Sequence, residues 1–277
     1  MSDSDDIFEN SCFSPRQVLW AIIVLAAVVR LWMAFTAEGI NSDAWRYALS
    51  AEKMAKEGLL AGMRGDFLWP YYPLNRNLIL YPLLGGFLLP FTGDAILSLR
   101  LVSAAAGIAL VPLSYAITKR LFDREGIALV AGLLLAVHSE FARASAAVYR
   151  EVFTAFVLAL AFYLVLRATE DRRNMFGWAV ASGLVLFLAF VTRPETIVAA
   201  PACGTVVLFW GSPLSWEKRL ASCMVMALTF FMLEIPYVLW MKKHSGYWVT
   251  NQWEITRKLD QRECLERRLR KDIGEGP

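Results

Sequence analysis

Residues 94–122 read DAILSLRLVSAAAGIALVPLSYAITKRLF. From Ala95 to Ile117 the only charged side chain is Arg100, and Lys119 and Arg120 follow at once. A helix needs about 20 mostly apolar residues to cross the hydrocarbon core of a bilayer, so this stretch predicts a membrane span with a basic end. Six further stretches come close to the same requirement: Val18 to Phe35, Gly126 to His138 with its flank, Val152 to Leu166, Phe176 to Thr192, Thr196 to Trp210, and Leu220 to Trp240. Several are short by a turn, which tilt, snorkelling or local thinning of the bilayer would cover. The pattern predicts an all-α, polytopic transmembrane protein of seven spans.

The composition agrees. Of 277 residues, 57% are hydrophobic and 19% charged, and the mean hydropathy is +0.45, against about 25% charged residues in an average soluble domain. A formal net charge of +3, with the basic residues in short clusters, leaves no footprint for nucleic acid. Cys12, Cys203, Cys223 and Cys264 show no CxxC spacing, so they read as small core residues and not as a disulfide framework or zinc site. The acidic N-terminus (Asp3, Asp5, Asp6, Glu9) lacks the basic region of a removable signal peptide, so the first apolar segment is expected to stay as an anchor.

Lys and Arg collect in cytoplasmic loops. Lys119, Arg120 and Arg124, then Arg167, Arg172 and Arg173, then Lys218 and Arg219 fall on one side of a seven-span chain. That side is assigned to the cytoplasm, although Lys242 and Lys243, directly after the last span, run against it. The implied organisation is an acidic cytoplasmic tail (1–16), a transmembrane module (17–241) whose first outer loop is 36–94, and a charged C-terminal tail (242–277). Leu78 to Thr92, interrupted by Pro82, Gly85, Gly86 and Pro90, suits a re-entrant or interfacial element better than a crossing. In the same loop, Ala44 to Glu57 reads as an amphipathic helix with Ser42 or Asp43 as its N-cap. The cluster Trp69-Pro70-Tyr71-Tyr72-Pro73 is suited to headgroup depth, so the loop should skirt the membrane.

Ionisable groups in or beside spans are costly and mark candidate functional sites. Arg30, Arg100, His138, Glu140, Arg143, Arg150, Glu151, Arg193, Glu195 and Glu234 all map to the outer half or outer mouth, together with Asp43. Five arginines around one polar chamber would suit a phosphate or pyrophosphate, which guanidinium forks bind bidentately, and the acids could supply a base or a metal ligand. Competing readings are that Arg30 and Arg100 snorkel to the interface, that Arg143 pairs with Glu140 three residues away, that Asp43 only caps its helix, and that Glu234 is either a salt-bridge partner for one of the arginines or a neutral buried carboxyl.

The order of motifs carries a resemblance. NSDAWRYALSAEKMAKEG (41–58) follows the first span, and the Pro/Tyr-rich loop leads into residues 94–122. HSEFARASAAVYREVFTAF (138–156), GLVLFLAFVTRPE (183–195) and IPYVLWMKKHSGYW (235–248) come after them. Over about residues 17 to 250 the chain resembles the membrane glycosyltransferases of the GT-C fold, in particular the family 39 group of protein mannosyltransferases and lipid A aminoarabinose transferases. The resemblance implies inverting transfer of a sugar from a polyprenyl-phosphate donor to a lipid, protein or glycan acceptor, at the extracytoplasmic face of the plasma (inner) membrane.

Asp43 matches the family's first-loop acid, the expected general base, and Glu151 matches its second acid, which would position the acceptor or ligate a divalent metal. Arg100, Arg143 and Arg193 match basic positions that would bind the carrier phosphate, with Arg150 and Arg30 as further donors from the chamber. A divalent ion is the candidate cofactor, with Glu151, Glu140 and His138 as its candidate ligands; His138 and Glu140 stand where the family commonly has Ser-Pro. Family members usually continue with more spans, so the resemblance implies that the catalytic half is present and the acceptor-selecting half is not, with the sequence read as a fragment, a truncated homologue, or a subunit that needs a partner. Two other functions remain open: a transporter or flippase of an anionic lipid, and a non-catalytic subunit that binds the lipid carrier.

Overall fold

Ser14 begins the first helix. Its hydroxyl accepts the backbone N–H of Gln17, the Gln17 side chain returns to the Ser14 N–H at 2.8 Å, and Pro15 occupies the first helical position, a reciprocal capping box. The structure, a computed structural model, describes residues 14–37, 42–59, 80–210, 214–245 and 248. The Trp69–Pro73 cluster, Cys12, Cys264 and most of the C-terminal tail lie outside these residues.

The described residues form α1 (Pro15–Thr36), α2 (Ser42–Glu57), α3 (Leu80–Thr92), α4 (Ala95–Phe122), α5 (Glu125–Val137), α6 (Ser139–Ala146), α7 (Arg150–Glu170), α8 (Met175–Thr192), a 3-10 turn (Pro194–Val198), α9 (Ala199–Phe209) and α10 (Trp216–Ser245). No strand occurs among them. Five helices, α1, α4, α7, α8 and α10, are long and apolar enough to cross a membrane, and α5 with α6 makes a sixth span if the bent pair is taken as one. The expected seven spans therefore map onto five clear crossings, one bent pair and the shorter Pro194–Phe209, whose first turn is 3-10. As expected, Leu80–Thr92 is a short apolar helix below crossing length.

The spans stand side by side in the order α1, α4, α7, α8, α10, with α2 and α3 packed against α4 and with α9 against α7 and α10. One core runs through α2, α3, α4, α7, α8 and α10, centred on Leu99, Phe153, Val165, Phe190 and Met241. A smaller one (Ile22, Ala26, Val111, Leu129, Ala136) joins α1, α4 and α5. Small residues permit the close crossings. A Cβ on Gly183 of α8 would lie 2.5 Å from the Met226 carbonyl of α10, and one on Gly86 of α3 would lie 2.7 Å from the Ala51 carbonyl of α2. Trp20, Val24, Val28, Trp32 and Phe35 on α1, and Met224, Leu228, Met232 and Ile235 on α10, are left on the outside, where acyl chains would cover them.

The break between α5 and α6, a bend of 56° at His138, has a definite cause. The last carbonyls of a helix have no intrahelical donor. Those of Leu135 and Ala136 are met by Arg30 of α1, through Nη2 at 2.9 Å and Nη1 at 3.1 Å. His138 then starts α6, its Nδ1 accepting the Phe141 N–H at 3.2 Å. A guanidinium at a helix C-terminus also complements the macrodipole. Gly107 makes room for it, because a Cβ there would sit 2.9 Å from Arg30 Nε and would run into Ser145 Oγ.

Candidate functional site

Polar groups gather at the two ends of the bundle. At one end Lys119 and Tyr115 bond Glu125, Arg120 reaches Glu170 at 3.4 Å, and Arg167 stands 3.9 Å from Asp171. The other end is where α2, α4 and α7 begin and α8 finishes, and it holds the candidate site.

Asp43 lies in the first turn of α2. Ser42 and Asp43 are both inside the helix, so neither is the N-cap that the sequence suggested; Asp43 instead places an exposed carboxylate at the positive end of the helix dipole. One turn later Tyr47 is buried and meets the Tyr81 ring of α3 edge to face, with centroids 5.5 Å apart. The Tyr81 hydroxyl donates to the Leu99 carbonyl at 3.0 Å and shares a 2.7 Å hydrogen bond with Ser103 Oγ, which in turn donates to the Tyr149 carbonyl at 3.2 Å. Tyr149 is the N-cap of α7. This chain of contacts sets α2, α3 and α4 against the turn that presents Arg150 and Glu151.

Arg193, at the C-cap of α8, closes the group. Its Nη1 stands 3.4 Å from Glu151 Oε1 and its Nε 3.5 Å from Glu195 Oε2. Arg150 is half-buried, and its buried Nε has no hydrogen-bond partner among the described residues. Burial pushes the Tyr47 phenol up to about 12, and the charges acting on it are those of Arg150, Asp43, Glu151 and Arg193. Four of the sequence candidates therefore lie at this end of the bundle: Arg150, Glu151 and Arg193 where α7 begins and α8 ends, and Asp43 one turn before Tyr47 on α2.

The other candidates lie elsewhere. Arg30 is a correction: it is fully buried, and its guanidinium is engaged by the α5 carbonyls, so it neither lines the site nor snorkels. Arg143 is exposed and pairs with Glu140 at 2.5 Å, the local i, i+3 alternative. Arg100 is half-buried in α4, next to the residue whose carbonyl Tyr81 binds. Glu234 is buried in α10 and has no arginine within ion-pair distance among the described residues, so the salt-bridge reading does not hold.

The candidate metal ligands do not converge. His138 caps α6 through Nδ1, Glu140 binds Arg143 and Glu151 binds Arg193. Among the described residues no group of three or more His, Cys, Asp or Glu side chains could hold a metal ion. A guanidinium beside Glu151 opposes a second cation there, so these residues do not fit a divalent ion.

Tyr47, Tyr81 and Ser103 were not singled out from the sequence. Tyr47 was within reach of it, because it follows Asp43 by four residues and so shares its helix face. Tyr81 and Ser103 carry no such signal, since their roles arise from contacts between helices.

Two solved structures have a similar fold. They are the oligosaccharyltransferase of Archaeoglobus fulgidus in its apo form, and the archaeal oligosaccharyltransferase AglB from the same organism in complex with an inhibitory peptide and a dolichol-phosphate. Each has a TM-score of 0.62 at 17% identity, and each match covers 79% of this chain and 29% of the other. The chain thus spans less than a third of the length of either. No curated protein matches the chain. A family model described as dolichyl-phosphate-mannose-protein mannosyltransferase matches residues 79–240, a range that holds Arg100, Arg143, Arg150, Glu151 and Arg193 and leaves Asp43 outside. With more than half of its length in that match and with the fold of a membrane oligosaccharyltransferase, the chain belongs to the dolichyl-phosphate-mannose-protein mannosyltransferase family of GT-C glycosyltransferases.

Proposed function

We propose that this membrane glycosyltransferase takes a sugar from a polyprenyl-phosphate donor and transfers it, with inversion, to a hydroxyl-bearing lipid, protein or glycan at the extracytoplasmic face of the plasma membrane. The observation that carries the reading is the group formed by Arg150, Glu151 and Arg193 where α7 begins and α8 ends, with Arg193 3.4 Å from Glu151 and with Asp43 exposed in the first turn of the helix that carries Tyr47. The dolichol-phosphate bound to the structurally similar AglB supports a lipid phosphate as ligand.

In the reaction, Asp43 takes the acceptor proton as the acceptor oxygen bonds to the anomeric carbon. The bond from that carbon to the phosphate oxygen breaks, and the carrier leaves as a polyprenyl monophosphate. Arg150 and Arg193 stabilise the charge that grows on the leaving phosphate, an electrostatic role usually worth about two to three orders of magnitude in rate. Glu151 holds Arg193 in place and orients the acceptor. Arg100 and Arg143 lie apart from this group and take no part in the step; the exposed Arg143–Glu140 pair is worth only about 0.2–1 kcal/mol.

The test is mass spectrometry of lipids that co-purify with the wild type and with Asp43→Asn. A glycosylated polyprenyl phosphate enriched in the variant is expected, since loss of a general base typically slows turnover by about two to four orders of magnitude. Absence of such a lipid from both preparations, combined with lipid flipping in proteoliposomes, would replace the reading with transport.

A further inference from the structure

We propose that Tyr81 and Ser103 are positioning residues of the transfer site: their hydroxyls hold the first turn of α7, and with it Arg150 and Glu151, in one orientation toward the helix that carries Asp43. The inference rests on the function proposed above and gives a role in it to two buried hydroxyls that touch no substrate.

The first turn of α7 is weakly held by its own residues. Tyr149, the N-cap, makes no side-chain capping bond, and its ring is 43% exposed. A tight turn precedes it, in which the Tyr149 N–H donates to the Ala147 carbonyl at 2.9 Å. Val148 packs into the core, but apolar contact is non-directional. The directional contact comes from another helix: Ser103 of α4, fully buried, donates to the Tyr149 carbonyl at 3.2 Å. Ser103 is held in turn by the Tyr81 hydroxyl at 2.7 Å, and Tyr81 is only 1% exposed.

Tyr81 joins that bond to both sides of the site. Its ring meets Tyr47 of α2 at 5.5 Å and Phe153, three residues past Arg150, at 6.0 Å. Helix α3 is also fastened to α2 where Gly86 lies against the Ala51 carbonyl. The Tyr81–Ser103 pair is therefore the hydrogen-bonded link from the α2–α3 unit to the turn before Arg150. Phenylalanine and alanine would fill the same space with no polar group to desolvate. Hydrogen bonds between membrane helices add little stability on average, so stability accounts poorly for the pair. Direction accounts for it better, because a misplacement of about 1 Å can cost on the order of 100-fold in rate.

A second hydroxyl pair supplies the control. Thr92 Oγ1 and Ser98 Oγ are 2.6 Å apart at the α3–α4 turn, and Ser98 is as buried as Ser103, yet their hydrogen bonds stay within α3, α4 and the turn between them.

The test uses the full chain in nanodiscs with farnesyl phosphate as the probe, its bound state followed by phosphorus NMR and its affinity compared with that of farnesol. Tyr81→Phe keeps the ring and its contacts, while Ser103→Ala and Ser98→Ala each remove one buried hydroxyl. Tyr81→Phe and Ser103→Ala are each expected to weaken farnesyl phosphate binding roughly tenfold, the effect of losing one hydrogen bond to a charged group, and to broaden the bound phosphorus resonance. Ser98→Ala should match the wild type in both. The double variant of Tyr81 and Ser103 should be no worse than either single one, because both hydroxyls act through one bond. Equal effects in all three single variants would overturn the inference, since a merely structural role does not distinguish Ser98 from Ser103. Wild-type affinity and resonance in Tyr81→Phe and Ser103→Ala would also overturn it and would leave the proposed function standing. A wild type that does not prefer farnesyl phosphate to farnesol would overturn both.

Discussion

Arg30 and Arg193 carry the same side chain and meet opposite fates. Arg30 is enclosed and its two terminal nitrogens bond main-chain carbonyls, so it acts as part of the scaffold; Arg193 is partly exposed between two carboxylates, so it can turn toward an anion. Substituting each should separate stability from activity. Arg30→Met removes hydrogen bonds to a charged group worth about 1.5–3 kcal/mol each, so we expect a fall of roughly 3 kcal/mol or more in stability, with transfer per folded molecule preserved. Arg193→Gln should leave the unfolding free energy within about 1 kcal/mol of wild type and slow turnover by about two orders of magnitude. Thermal unfolding and initial rates on both variants check the contrast. A count of charges near span ends cannot tell the two residues apart, because the difference lies in what the neighbouring helix presents at that depth.

Among the elements, the α7–α8 connection depends on one side chain. Asp171, the C-cap of α7, accepts hydrogen bonds from Trp178 Nε1 at 3.0 Å and from the backbone N–H groups of Asn174 (3.1 Å) and Arg173 (3.0 Å). The Trp178 bond, followed by these backbone donors and by Arg167, holds its carboxyl below the ordinary aspartate range. A folded-state pKa below the unfolded value contributes stability that is present above the unfolded pKa and is lost as pH falls through the folded one. Asp171→Ala should therefore melt below the wild type at neutral pH, and the gap should close as pH falls through and below about 4; melts across that range test it. Such turns were invisible in the hydropathy pattern, which registers apolar length. That pattern located α1, α4, α7, α8 and α10, the all-α class, and the reduced status of Leu80–Thr92. It counted α5 and Pro194–Phe209 as ordinary spans because it does not register a bend at His138 or a 3-10 start after Arg193.

For the molecule as a whole, the charges at the two ends of the bundle define its sidedness. If basic loops lie in the cytoplasm, Arg173 faces inward and Glu140 outward. In a chain with its own cysteines replaced, an impermeant maleimide applied to intact spheroplasts should label Glu140→Cys and spare Arg173→Cys until the membrane is opened. The reverse pattern would move the site to the cytoplasmic face. At this scale the ordered motifs were legible, because a family likeness survives in spacing and order; the site was legible in part. Asp43, Arg150, Glu151 and Arg193 do come together, while Arg30, Arg143 and His138 do not, since membership depends on how helices far apart in sequence rotate against each other.

The bond between Arg30 and the end of α5 also has a consequence in time. The two partners are 105 residues apart, and a ribosome adding about 5–20 residues per second needs on the order of 5–20 seconds to supply the second after the first. During that interval the guanidinium has only the Ala26 carbonyl of its own helix, because its α5 partners do not yet exist, and an unpaired charge costs up to about 2.5–3.5 kcal/mol on insertion scales at the centre of a span. Helix α1 therefore gains its full membrane stability only when the third apolar segment arrives, and its early lodging is provisional, supported by water or by the insertion machinery until the chain itself completes the bond.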